Sequence, residues 1–399
     1  MTAHRFSVGA AEIAAGPFPS AHRSAGLRAL GLNLLMAGLS LGVAFGLGEG
    51  LVRLVAPQQL ILKRPDIWQP IDTLGWVHRP EVNTTINTGE GTVRLLTDRD
   101  GYRVGSAGRI DGTRRILLLG DSFMEALQVE YEQSVAGLLE ARLAQRLGEP
   151  VAVRNTGVGG WDPPQYLVAE RRALARERFD LVLVAVYLGN DVVPRRIERF
   201  PPRAPVEVHP LRWPRHFNAS ELVDAVLYPI NDFLEVRSQL FIFVKTRAEA
   251  VRARLGLTAE EFPVDLLRRE AGSPRWSVTG EICRDIRDAA AAHGVPVLFV
   301  LVPAPYQVDS GEVSQALRQF KIEPGAVDLE QPNHLLAEAM RRYRLTVLDA
   351  LPEFRRGENA GARLYGRVDR HLSPQGHDVL ERLVEPAVAA ALSRPGRKS

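Results

Sequence analysis

Cysteine is almost missing from this sequence: Cys283 stands alone in 399 residues, which excludes an intramolecular disulfide and a thiolate metal cluster. A surplus of one charge is missing too. Fifty basic residues face 47 acidic ones, and a formal net charge of +3 creates no field that would make nucleic acid a partner. Internal repeats are absent, which excludes a repeat architecture. What is present is 45% apolar residues, enough for a substantial core in one large domain or two ordinary ones, and one long uncharged run.

That run, residues 29–48, carries no charge, and its apolar pattern continues past Glu49 and Arg53 to Val55. Twenty such residues at about 1.5 Å each span a bilayer core of ~30 Å, so 29–55 is expected to be a single transmembrane anchor. The competing reading is a signal peptide, with Ala44 and Gly46 near a cleavage point, but the run exceeds the usual apolar core of about 7–15 residues. A buried core helix is disfavoured by the same length. Flanking charges do not orient the span, because Arg5, Arg23 and Arg28 precede it while Arg53, Lys63 and Arg64 follow. Gly38, Gly42, Gly46 and Gly50 repeat every fourth residue along one helix face. Either another membrane helix packs there, from its own copy or a partner, or the glycines are merely tolerated.

Residues 1–28 are rich in Ala, Ser, Gly and Pro without periodicity and are expected to form a flexible tail. Short β-branched stretches at 82–86 and 92–96 suggest a small β-rich lead-in over 58–113. From 114 to 395 continuous apolar runs alternate with amphipathic helices. The runs fall at 116–119, 151–153, 181–187, 295–302 and 345–348, and the helical stretches at 133–147, 165–178, 281–293, 333–343 and 375–392. This pattern predicts an α/β fold in which a five-stranded parallel sheet is sandwiched by helices in three layers. One interruption, 192–274, begins as a proline- and arginine-rich loop over 194–215. It ends in an amphipathic helix with apolar residues from Leu240 to Leu255 and a glycine stop at Gly256.

Four constellations carry candidate chemistry. Gly120-Asp121-Ser122-Phe123 follows the first strand, where open sheets bind ligands at their carboxyl edge, although Gly-Asp-Ser is also ordinary turn chemistry. Gly38-Leu39-Ser40-Leu41-Gly42 matches a nucleophile elbow but lies inside the apolar run, which rules it out. Asn155-Thr156-Gly157-Val158-Gly159-Gly160-Trp161 follows the second strand and either exposes amide donors to a ligand or makes a tight connection. Leu188-Gly189-Asn190-Asp191 ends the third strand, where Asn190 either reaches across the sheet edge or caps a turn. Asp369-Arg370-His371 precedes the last helix, with the acid close enough to orient the imidazole. His377 is the rival base, but it falls inside that helix.

Taken in this order, the constellations resemble the SGNH (GDSL-type) hydrolases over about 114–392. The resemblance implies Ser122 as nucleophile, His371 as general base and Asp369 as its acid, with Ser122, Gly160 and Asn190 forming the oxyanion hole. Many members place the acid three residues before the histidine; here that position is Val368, and Asp369 stands two before. The implied activity is cleavage of an ester through an acyl-enzyme without metal or organic cofactor. The implied substrate is a short acyl group, O-acetyl above all, on a carbohydrate outside the cytoplasm, in an enzyme held in the inner membrane with its catalytic domain in the periplasm. Transfer of the acyl group to a glycan uses the same intermediate. A non-catalytic, membrane-anchored glycan-binding or scaffold protein with a relic site is the alternative. Because 194–215 starts beside Asn190, Arg195, Arg196 and Trp213 are candidates for the substrate rim, unless the loop is only a solvated surface.

Overall fold

In the computed structural model the uncharged run is part of a single helix, Ala21–Val55. Within it Leu30–Val55, 26 residues, is long and apolar enough to cross a membrane. An added Cβ at Gly38, Gly42, Gly46 or Gly50 would meet nothing within 4 Å, so this face is open. The structure describes residues 21–393 apart from 61–62, 194, 198, 204–206, 217, 255–263, 268–273 and 320–321. The expected tail therefore lies outside the described residues up to position 20, as does the glycine stop at Gly256. The chain divides into two compact units, Met1–Ala56 and Pro57–Ser399.

The described residues of the second unit form ten strands: β1 (Trp68–Ile71), β2 (Gly75–His78), β3 (Asn83–Asn87), β4 (Thr92–Thr97), β5 (Arg103–Val104), β6 (Arg114–Leu119), β7 (Val151–Asn155), β8 (Leu181–Tyr187), β9 (Val297–Val302) and β10 (Val347–Asp349). β1 and β2 form a separate hairpin, and the other eight make one sheet in the order β10-β9-β8-β6-β7-β5-β4-β3. The five strands expected from the apolar runs, β10, β9, β8, β6 and β7, pair in parallel. The lead-in is not a body of its own. Its strands β5, β4 and β3 continue the sheet antiparallel beyond β7, joined through Arg103 opposite Asn155.

Period-two alternation divides the sheet residues between two cores. Leu117, Leu119, Val182, Val184, Phe299 and Leu301 pack with the helices Pro163–Leu174, Arg275–Ala291 and Gln331–Arg342. Ile116, Leu118, Leu181, Leu183, Leu298 and Val300 pack with Val135–Leu147 and Pro374–Leu392. Burial on both faces is why these strands are continuously apolar. The order in which strands are added to the sheet reverses at β6, which has β7 on one side and β8 on the other. Loops leaving β6, β7 and β8 therefore meet at one switch point, where such sheets hold ligands.

Candidate active site

Ser122 begins a short helical turn, Ser122–Glu125, directly after β6. Asp121 caps that turn by accepting from the Phe123 amide at 2.9 Å. Gly120 has to be glycine, because a Cβ there would stand 2.4 Å from Met124 Cγ. The loop before the last helix delivers His371, helped by a left-handed φ of +64° at Arg370. His371 Nε2 lies 2.9 Å from Ser122 Oγ, across 249 positions of sequence. On the other side of the ring, Nδ1 is 3.2 Å from the backbone carbonyl of Asp369 and 3.8 Å from its carboxylate Oδ1. That same oxygen accepts the His371 amide at 3.1 Å, so the carboxylate is turned as much toward the backbone as toward the ring.

Electrostatics follow this arrangement. Burial works against a charge on Asp369, but the hydrogen bonds and the attraction of His371 outweigh it and hold the carboxyl below its usual range. Burial likewise opposes protonation of His371, and Asp369, with Asp121 and Glu125 beyond it, more than compensates, so the imidazole is raised above its ordinary value. The rival, His377, is buried in the last helix with neither ring nitrogen hydrogen-bonded, and burial, then Arg103, push it down to about 3. It makes no bond to Ser122.

Gly160, at φ +77°, sits on the loop from β7, and a Cβ on it would press the Trp76 ring at 3.2 Å. Its neighbour Gly159 has both polar groups committed, the amide to Glu125 Oε2 at 2.9 Å and the carbonyl to Trp76 Nε1 at 3.0 Å. A Cβ on Gly159 would stand 3.7 Å from Ser122 Cβ, which fixes how closely this loop approaches the serine. Asn190 is exposed at the end of β8. Buried Asp191 beside it accepts from Tyr166 Oη and the Tyr187 amide, both at 2.8 Å, and pins the turn.

Several residues that shape the site were not singled out by the sequence. Glu125 Oε1 accepts from Trp68 Nε1 at 3.0 Å and lies 2.6 Å from His78 Nε2, so the β1–β2 hairpin is fastened to the serine turn. Fully buried Arg103 on β5 donates to the carbonyls of Glu125 (2.7 Å), Ala126 and Val129 (2.6 Å). Burial pushes its pKa down to about 10, so it stays cationic at neutral pH and matches the negative carbonyl end of the turn. Glu90 accepts the amides of Val368 and Asp369, tying the histidine loop to the lead-in. Neither composition nor periodicity gives a hint of these contacts.

A cavity of about 650 Å³ opens over the pair, lined by Ser122, His371, Glu125 and Trp68 and walled by Ile242 and Lys245 of the helix Gln239–Arg254. Arg195, Arg196 and Trp213 are not among its lining residues, and neither are Gly160 and Asn190. The loop that carries the two arginines is held at its start. The Val193 amide donates to Thr279 Oγ1 at 3.0 Å, drawing the chain onto the helix Arg275–Ala291, where Arg196 pairs with Asp285. Trp213 lies farther along, 81% exposed.

No protein-family model and no curated protein matches the sequence. Among solved structures, similarity is found to a member of the lipolytic protein G-D-S-L family from Veillonella parvula, at 10% identity and TM-score 0.36, covering 68% of this chain and 96% of that one. A catalytic mutant of an acetylxylan esterase from Geobacillus stearothermophilus is similar at 11% identity and TM-score 0.36, covering 73% and 99%. Another acetyl xylan esterase is similar at 12% identity and TM-score 0.38, covering 69% and 99%. Likeness this distant carries no argument about chemistry. The side chains of this chain must do so.

Proposed function

We propose that this protein is a membrane-anchored serine esterase that cleaves, or transfers, a short acyl group, O-acetyl on an extracytoplasmic carbohydrate being the substrate we favour. The observation that carries the reading is the 2.9 Å approach of His371 Nε2 to Ser122 Oγ, with Nδ1 engaged by Asp369 on the opposite edge of the ring. As Ser122 attacks an ester carbonyl, its proton passes to Nε2 and the imidazolium is balanced by Asp369. The amides of Ser122 and Gly160 and the side chain of Asn190 are the donors proposed for the oxyanion, each of a kind worth about 3–4 kcal/mol. Collapse of the tetrahedral intermediate returns the proton to the leaving alcohol and leaves an acyl-Ser122. Water, or a sugar hydroxyl, then gives up its proton to His371 and takes the acyl group, and His371 passes that proton to the departing Ser122 Oγ.

A cavity of about 650 Å³ is larger than an acetyl group requires and has room for the sugar that bears it, which favours a carbohydrate ester. The test uses full-length protein in detergent, a fluorophosphonate probe and an aryl acetate. Ser122→Ala is expected to lose labelling and turnover while keeping its melting temperature, because a small side chain at a sheet edge contributes little packing. Unchanged labelling refutes the assignment. An added acceptor sugar that becomes acylated identifies transfer; release of acid alone identifies hydrolysis.

A further inference from the structure

Most described helices of the second unit turn apolar residues inward, but the stretch beside the proline- and arginine-rich loop does the reverse. The stretch 219–235 is helical throughout, with a π-turn at Val223–Leu227. Two of its acids point in: the Asp232 and Glu235 side chains are 7% and 5% exposed and pair with Lys63, Glu235 also with Lys245. Its apolar residues Leu227, Ile230 and Phe233, three apart and therefore on one face, point out. The strand of loop alongside it behaves in the same way. Leu211 and Trp213 are 70% and 81% exposed, and the Arg212 amide bonds the Ala225 carbonyl at 3.1 Å. Among the described residues of the second unit, every exposed large apolar side chain lies between Val208 and Val251. A cavity of about 830 Å³ opens among Val208, Leu211, Ile230 and Phe233. A patch of this kind marks an interaction surface.

We propose that this patch docks onto the surface of an anionic lipid bilayer, with Trp213 at headgroup depth and the Leu227–Ile230–Phe233 face against the acyl chains. Charge favours lipid. Arg212, Arg215, Arg237 and Arg247 are exposed around the patch, against exposed Glu207 and Asp224 among its described acids, and arginines flanking an apolar face suit anionic headgroups. Tryptophan beside arginine is the composition of a membrane interface. Connectivity favours the same occupant. The Gln58 amide donates to Gln239 Oε1 at 3.1 Å, so the insertion is held to a residue that follows Val55, the last residue of the apolar helix, by only three positions in the chain. The docking goes beyond ester chemistry and rests on the proposed function only for the membrane anchor.

The test exploits the five tryptophans, four of which, Trp68, Trp76, Trp161 and Trp276, are buried. The difference in emission between wild type and Trp213→Phe therefore isolates Trp213. Full-length protein is reconstituted into vesicles of phosphatidylcholine brominated high on its acyl chains, with and without phosphatidylglycerol, and floated. Bromine is expected to quench Trp213 by about half when phosphatidylglycerol is present, the depth at which interfacial tryptophans reside. Flotation without quenching overturns the docking and leaves the anchor standing, whereas failure to float overturns both. Equal quenching without phosphatidylglycerol overturns the anionic assignment. If quenching is absent and a Phe233→Cys variant cross-links two chains, a second copy covers the patch and the proposal falls.

Discussion

Replacing Asp369 by asparagine removes a charge 3.8 Å from His371 Nδ1 while leaving the backbone carbonyl of the same residue 3.2 Å from that nitrogen. The two consequences separate. Attraction between an imidazolium and a carboxylate at this distance is about 4 kcal/mol for an effective dielectric near 20, or about three decades in rate if it is lost entirely from the transition state. The tautomer survives, however, because the carbonyl still accepts from Nδ1–H. In the serine-protease case, where Asp→Asn installs the wrong tautomer, the loss is about 10⁴. Asp369→Asn is therefore expected to lower kcat by about 10²–10³, less than the protease value, with little change in melting temperature. The pH profile supplies a second readout. His371 must be neutral to act as base, and its raised pKa puts the acid limb of kcat/KM above the ordinary imidazole value of about 6.5. Without the Asp369 charge that limb moves to lower pH as the plateau falls. A variant with kcat within about threefold of wild type would show the carboxylate to be idle, and a loss of about 10⁴ or more would show that the carbonyl does not hold the tautomer.

Glu90→Ala removes the acceptor for the Val368 and Asp369 amides and is expected to lower kcat about tenfold at little cost in KM, the worth of one charge-assisted hydrogen bond in placing the histidine loop. Glu90→Gln should restore most of the loss; equal loss in both variants would point to a role other than holding those amides. His377 is buried, and its pKa is held down at about 3, below the value of about 6.5 in the unfolded chain. The unfolded chain thus takes up the proton first, and stability present above about pH 6.5 is lost as pH falls toward 3, by about 2 kcal/mol at pH 5. His377→Leu is expected to flatten the decline in melting temperature between pH 7 and pH 5 and to leave kcat within about threefold. Parallel declines in both proteins, or collapse of activity in the variant, would refute this.

What was legible in the sequence is what short-range pattern encodes. Runs such as 181–187 are buried on both faces and read directly as strands, and Ser122 and His371 each follow or precede an element whose end is marked by local residues. The contacts that were not legible join distant positions through single side chains. Arg103 reaches the serine turn across 22 to 26 residues and Glu90 reaches the histidine loop across 279, and no periodicity announces either. The place of the lead-in strands in the sheet was not legible, because β-branched stretches signal strands without naming their partners, and their junction with the parallel strands is one residue pair, Arg103 with Asn155. The contacts of the loop that carries Arg195 and Arg196 were hidden for a related reason. Nearness to Asn190 in sequence gave no sign that the Val193 amide would bind Thr279, 86 positions away. The wall supplied by Ile242 and Lys245 was likewise hidden, since an amphipathic helix in sequence does not disclose what lies beneath it.

The lead-in strands also impose an order of events on synthesis. β3 and β4 pair with each other as soon as they emerge, but β5 has no further neighbour until Asn155 has been made, and the Glu90 carboxylate waits for Val368 and Asp369. Closure over such separations is slow compared with pairing of neighbours in the chain. At about 5–20 residues per second, more than ten seconds pass between translation of Glu90 and arrival of its partners. During that interval the nascent protein has a serine turn but no base beside it. Nucleophile and histidine meet only after the chain has been translated past His371, so a ribosome stalled in the insertion displays a chain unable to attack any ester in its surroundings.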